Sequence, residues 1–217
     1  GKLRWGNIVA SAGWVRDFTP NLFGRITGAY TRYNSSLSNY DEEYTLDEAG
    51  NREGYTYSKV TTRNNIADLI ARGDFEWRSS SINSFNFGAS FTWHDFLPQR
   101  TTRRIIADNV DSRVTDNAPH YHAGEWNFYA EDNITLFDRL KLSAGLHYSL
   151  FNITGRTKTA LSPRFSFNYT VGDVAVKGGY ARTSQFVHQL TQSPMSLPTD
   201  QWVPVIGDQH VQTADKV

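Results

Sequence analysis

Cysteine is absent from the 217 residues, which excludes disulfides and thiolate metal sites. Charge of one sign is absent too. Lys plus Arg and Asp plus Glu both number 22, so the chain has none of the basic excess that a nucleic-acid partner needs. No run approaches the ~20 apolar residues of a membrane-spanning helix. That absence leaves membranes open, because a tilted spanning strand needs only about 9–11 residues and gives a weak hydropathy signal. No glycine-rich phosphate loop stands between a strand and a helix. Ser, His and Asp are common, but no motif supports a nucleophilic triad, so an enzyme is not expected and no cofactor is implied. The mean hydropathy of −0.53 fits strands with one wet face joined by wet loops.

What the chain does have is alternation. From Leu161 the sequence runs LSPRFSFNYTVGDVAVKGGYARTSQFVHQL. Leu161, Phe165, Phe167, Tyr169 and Val171 share one face of a strand, and Ser162, Arg164, Ser166, Asn168 and Thr170 the other, because successive side chains point to opposite sides. Val174, Val176, Gly178 and Tyr180 repeat the pattern after a turn read as Val171-Gly172-Asp173. This predicts a hairpin with one apolar and one polar face, suited to a wall between lipid and water.

The rhythm recurs along the chain. Strands are expected near Leu3–Arg16, Leu22–Thr31, Asn64–Trp77, Phe85–His94, Trp126–Ile134, Leu142–Ser149 and in the hairpin above, about eight in all. Short turns at Asp17–Asn21, Arg78–Ser81 and Phe137–Arg139 alternate with long polar connections at Asn34–Ser58 and Leu97–His120, a shorter loop at Phe151–Ala160 and a long last segment from Ser184. Short turns at one edge and long loops at the other are the asymmetry of outer-membrane barrels. Trp14, Phe18, Phe75, Trp77, Phe85 and Phe137 gather beside the short turns, where an interfacial girdle belongs. Asp132 breaks the pattern on the apolar face; either it lies close enough to a turn to be tolerated or a bulge shifts the register. A soluble sandwich also alternates. Against it stand the many small residues on the apolar face, such as Gly24, Gly28, Ala71 and Ala89, which would fill a core poorly, and the charges Arg72, Asp74 and Glu76 in succession on the polar face.

Candidate sites are few. Arg25, Arg72, Asp74, Glu76, Glu131, Lys141, Arg164 and Lys177 are expected to face a hydrated lumen and a plug, pairing across strands. His120-Tyr121-His122 is the one closely spaced His pair, but no third metal ligand lies near it in sequence, so it is read as loop histidines at a rim and no metal site is assigned. Asp41-Glu42-Glu43 with Asp47-Glu48 could offer carboxylates to Ca²⁺, but Asp47–Asn51 reads first as a hairpin tip. Trp202, with Pro198 and Pro204, belongs to a stiff, folded segment, Ser196–Pro204, expected to be an extracellular loop, where Trp202 either packs the loop or touches ligand.

EWNFYAEDNITLFDRLKLSAGLHYS (Glu125–Ser149), LSPRFSFNYT (Leu161–Thr170) and GYARTSQFVHQL (Gly179–Leu190) followed by SLPTDQWVP (Ser196–Pro204) resemble the barrel of a TonB-dependent outer-membrane receptor of the type abundant in Bacteroidetes. The resemblance implies an all-β fold, an antiparallel transmembrane β-barrel. Residues 1–217 would form about eight strands of a larger plugged barrel, the plug and the terminal strands lying outside this piece. It implies active import of a scarce ligand (siderophore, cobalamin, glycan or peptide) through a Gram-negative outer membrane. The implied partners are outer-membrane lipid, the TonB complex acting through the plug, a surface lipoprotein lid in some members, and a small-molecule or oligomeric ligand. The rival reading is a secreted all-β carbohydrate-binding module. A small closed eight-stranded barrel is a further alternative.

Overall fold

The computed structural model describes all residues except 108–109, 117–118, 191–200 and 208. Its described residues form antiparallel strands, with no helix among them. Ten strands form one open sheet, ordered β1 (Lys2–Thr19), β2 (Leu22–Leu46), β3 (Arg52–Arg78), β4 (Asn83–Ala107), β6 (Tyr121–Leu136), β7 (Leu140–Ile153), β8 (Arg156–Val171), β9 (Val174–Gln185) and β12 (Gln212–Lys216). β5 (Val110–Asp116) also pairs with β4. β10 (Val187–Leu190) and β11 (Gln201–Pro204) make a separate two-stranded ribbon.

Alternation becomes a two-faced wall because the registers stay in phase. Trp14 pairs with Ile26, Ile26 with Gly73, Gly73 with Ala89, Ala89 with Phe128, Phe128 with Tyr148 and Tyr148 with Leu161. Directly opposed residues share a face, so one apolar row crosses seven strands. Aromatic rings tile this face at the short-turn edge. Trp14 meets Phe18 edge-on at 5.9 Å, Phe75 stacks on Phe87 at 5.4 Å, and Trp77 stacks on Phe85 at 5.7 Å. A second aromatic line, Phe91 against Trp126 at 4.4 Å with Trp93 beside it, runs nearer the other edge. Along β4 the two lines are separated by the stretch from Phe85 to Trp93, ~26 Å at ~3.3 Å per residue. That stretch has the length of a tilted membrane-spanning strand, about 9–11 residues. Glycines in this band give the rings room: a Cβ on Gly178 would stand 2.6 Å from the Phe167 ring, and one on Gly24 2.9 Å from Phe75.

No second sheet covers this face among the described residues. Trp93 is 45% exposed and Phe165 46%, whereas a sandwich would bury them. The carbohydrate-binding module is therefore not favoured.

Several expectations need correcting. Asn34–Ser58 is not a loop: β2 and β3 run on as a paired ribbon to Leu46 and Arg52. Leu97–His120 is likewise extended in large part, since β4 continues to Ala107 and β5 folds back on it. The Phe151–Ala160 loop is the ends of β7 and β8 joined by Thr154-Gly155, both at positive φ. The turn after β8 has two residues, Gly172-Asp173, not three. The last segment, read as one long stretch from Ser184, supplies β12, which pairs with β9. Asp132 needs no bulge, because the β4–β6 and β6–β7 registers run through it unshifted.

The Asp47–Asn51 tip is a turn as expected. Asp47 Oδ1 accepts from the Ala49 and Asn51 N–H groups at 2.9 and 2.7 Å, and Oδ2 from the Asn51 amide at 3.2 Å. These bonds, the Asn51 backbone N–H first, hold its carboxyl below the ordinary carboxylate range. A depressed acid stabilises the fold above its usual pKa and loses that contribution as pH falls through its folded value. Protection factors of the Ala49 and Asn51 amides should therefore be high at neutral pH and fall under strong acid. Asp47→Ala should lower them at neutral pH, change little under strong acid, and leave protection at the distant Tyr30–Leu69 pair unchanged.

Candidate functional site

The polar face carries the ions predicted from sequence. All eight stand on it by register. Arg25 opposes Asp74, Asn86 opposes both Glu76 and Glu131, Gly145 opposes both Glu131 and Arg164, and Asn168 opposes both Lys141 and Lys177. They form local groups rather than one site. Arg72 donates to Asp74 through Nε at 2.7 and 2.9 Å and through Nη2 at 2.8 Å, and the Tyr129 hydroxyl donates to the same carboxylate at 2.7 Å. Glu76 accepts from Arg78 at 2.8 Å. Glu131 lies 3.9 Å from Arg164. The Tyr129 ring stacks on His147 at 5.1 Å and covers Gly88.

Nearer the long-hairpin edge, the same face changes character. Phe96, Ala123, Phe151 and Ile153 are almost wholly buried with Phe186. The cover is the β10–β11 ribbon and its flanks. Val205 donates its N–H to the Phe186 carbonyl at 2.8 Å, and both Val205 and Pro204 are fully buried. These described parts of the last segment thus fold back over the sheet.

Beside this small core lies a cleft of about 660 Å³ bordered by Trp5, Tyr33, Asp68, His94, Phe96 and Trp202 among others. Its polar floor was missed by the sequence reading. Asp68 of β3 and His94 of β4 line the cleft, and Glu125 of β6 lies against His94. His94 Nδ1 is 2.8 Å from Asp68 Oδ1, and Nε2 is 3.4 Å from Glu125 Oε2, an ion-pair distance without good hydrogen-bond aim. The Thr31 hydroxyl reaches the other Asp68 oxygen at 3.5 Å. Only the doubly protonated ring can donate towards both carboxylates at once. The signal available in sequence was weak: Asp68 and His94 stand on the polar face of their strands, but nothing in their spacing joins them.

Trp202 pairs through β11 with Gln189 and remains 36% exposed at the mouth of the cleft. The ribbon holds it and one side stays open. The other part of its expected loop, 196–200 including Pro198, lies outside the described residues.

The His120–His122 pair stands on the opposite, apolar face. Asp95 of β4, remote from the pair in sequence, faces His122 across the ladder; its carboxylate contacts the His120 ring and lies 3.9 Å from His122 Nδ1.

Comparison with known proteins agrees with this wall. The family model described as TonB dependent receptor-like, beta-barrel matches residues 2–200. Among solved structures, the chain is similar to the ferric preacinetobactin receptor BauA from Acinetobacter baumannii, at 12% identity and a TM-score of 0.55, over 87% of this chain and 32% of that one. It is also similar to the ferric citrate transporter FecA, at 14% identity and a TM-score of 0.46, over 84% and 28%. At such identities BauA speaks for the fold alone. The chain spans about a third of its length. No curated protein matches. The family is one of transport receptors, and this chain belongs to it: a TonB-dependent receptor β-barrel.

Proposed function

We propose that this chain is part of the barrel wall of a Bacteroidetes-type TonB-dependent transporter in a Gram-negative outer membrane. Its apolar face meets lipid, its polar face lines the lumen, and its long hairpins stand at the extracellular rim. The plug and the remaining strands are contributed by the rest of the parent protein. The observation that carries this reading is the pairing of an exposed aromatic band with an ion-bearing reverse face on one unslipped sheet.

On this reading Arg25, Arg72, Asp74, Glu76, Glu131, Lys141, Arg164 and Lys177 wet the bore and meet the plug. Mixed signs suit both tasks, since neighbours such as Arg72 and Asp74 neutralise each other while leaving donors and acceptors for water or a polar plug. The cleft under the rim ribbon is the place for ligand. Trp5, Tyr33 and Trp202 offer ring faces and edges, and the Asp68–His94 pair, with Glu125 against it, offers charge. A siderophore, cobalamin, glycan or peptide, combining planar or apolar parts with hydrogen-bonding groups, fits such a lining. Transport needs no bond-making residue here. Work done on the plug by the TonB complex opens the path, and a surface lipoprotein lid is compatible with the exposed rim.

Cells that carry the full-length parent as their only such receptor should accumulate one member of a labelled panel of ferric siderophores, cobalamin, oligosaccharides and peptides. Accumulation should stop when TonB is deleted or the proton gradient is collapsed. Uptake that survives both treatments would contradict the reading.

Within the rim, two substitutions should separate binding from folding. Trp202→Ala should weaken ligand binding to the purified receptor and leave its thermal midpoint unchanged. Phe151→Ala should cost about 3 kcal/mol of stability, as fully buried Phe-to-Ala truncations do, because its ring stacks on Phe186 at 5.2 Å and is wholly enclosed.

A further inference from the structure

β4 changes partner within a few residues. It pairs with β6 up to Phe96 and with β5 from Thr101 onward. The chain between is irregular. Gln99 has a φ of 50°, the β3–β4 register shifts between Arg63 and Asn65, and the Gln99 N–H donates to Asn64 Oδ1 at 2.8 Å. At this junction, on the apolar face, stand Asp95 of β4, His122 of β6 and His120 just before β6. Their three ligand atoms lie within 4.8 Å of one another. His122 Nδ1 is 3.9 Å from Asp95 Oδ1, His120 Nε2 contacts the same oxygen, and the two rings are 4.5 Å apart. Trp93 stacks on His122 at 5.8 Å and fixes the outer side of that ring.

We propose that Asp95, His120 and His122 form a site for a borderline divalent transition-metal ion of the Zn²⁺ class, which pins the start of β6 to β4. Two imidazoles and one carboxylate are the donor set such ions take, with a fourth position left to solvent. Ca²⁺ and Mg²⁺ prefer oxygen throughout. Ligand atoms around a tetrahedral ion at ~2.1 Å stand about 3.4 Å apart, so the present spacing needs only small side-chain rotations to close. The two histidines are half-exposed, which leaves the ion a way in. The ion would also hold the carboxylate and rings together where the ladder is interrupted. The site does not depend on what the receptor transports.

The test uses the full-length receptor, free of any histidine tag, in detergent, titrated with ZnCl₂ by calorimetry. One Zn²⁺ should bind per chain. His120→Ala and His122→Gln should each weaken it by roughly tenfold or more, since even supporting groups matter on that scale. His210→Ala should change nothing. Co²⁺ should give the visible absorption of a tetrahedral nitrogen–oxygen site, and Zn²⁺ should slow amide exchange over residues 121–123. Failure of Zn²⁺ to bind, or binding that survives both histidine changes or follows His210, would overturn the site. Binding without slower exchange would overturn the pinning. Ligand uptake reports separately on transport, so the two proposals fail by different measurements.

Discussion

A β-ladder that slips by one residue turns its whole apolar set to the wrong side. Everything in this wall depends on that not happening across strands of very different length. The register shifts fall between Asp17 and Thr19, between Thr45 and Leu46, and between Arg63 and Asn65. The first is next to a short turn, the second at a hairpin tip, and the third beyond the Trp93 line. None lies inside the aromatic-bounded band. Within that band, backbone groups are satisfied strand to strand, as a medium without water demands.

Phase, once fixed, explains the exceptions. Asp132 is carried to the apolar face by an unshifted ladder, opposite Phe85 and Ala144, and its Oδ1 has no hydrogen-bond partner. It sits at the Phe85–Trp77 line, where the band ends and the depth-dependent cost of a charge is smallest. The tight turn beyond it, with Phe137 and Asp138 both at positive φ, has the twist that matches antiparallel strands. That twist outweighs the steric objection to a phenylalanine in that conformation.

Most of the wall was legible in the sequence because lipid and water impose a period of two. Leu161–Tyr180 and Phe85–Trp93 could be read directly, and so could the face of every predicted ion. Where both faces meet water, the period vanishes and so does the signal. β2 and β3 beyond Asn34 and Arg63 are polar on both sides. They are held by cross-strand pairs such as Tyr44 with Tyr55 at 5.2 Å, and by Arg52 over the Tyr44 ring at 4.2 Å. No single-strand pattern shows these pairs. The same holds for the grouped polar residues. Asp95 is remote in sequence from His120 and His122, and Asp68 from His94 and Glu125, yet the ladder makes each set neighbours.

The apolar phase itself changes sides at the rim, and this locates the end of the lipid-facing wall without reference to any relative. On β7, Leu142, Leu146 and Tyr148 stand on the outer face, whereas Phe151 and Ile153, two residues apart, stand on the inner one and are buried. On β4, Phe85 to Trp93 point outward and Phe96 inward; on β6, Trp126 points outward and Ala123 inward. The three strands switch at matching heights with no slip between them, so the switch is a change of composition and not of geometry. Below it, apolar side chains face a medium that excludes water on the outside. Above it, the outside carries Asp95, His122 and Asn152, and the apolar set turns in to meet the β10–β11 ribbon. A sheet whose hydrophobic face reverses along its own strands has two different covers at two levels. Of these, the described residues supply the upper one.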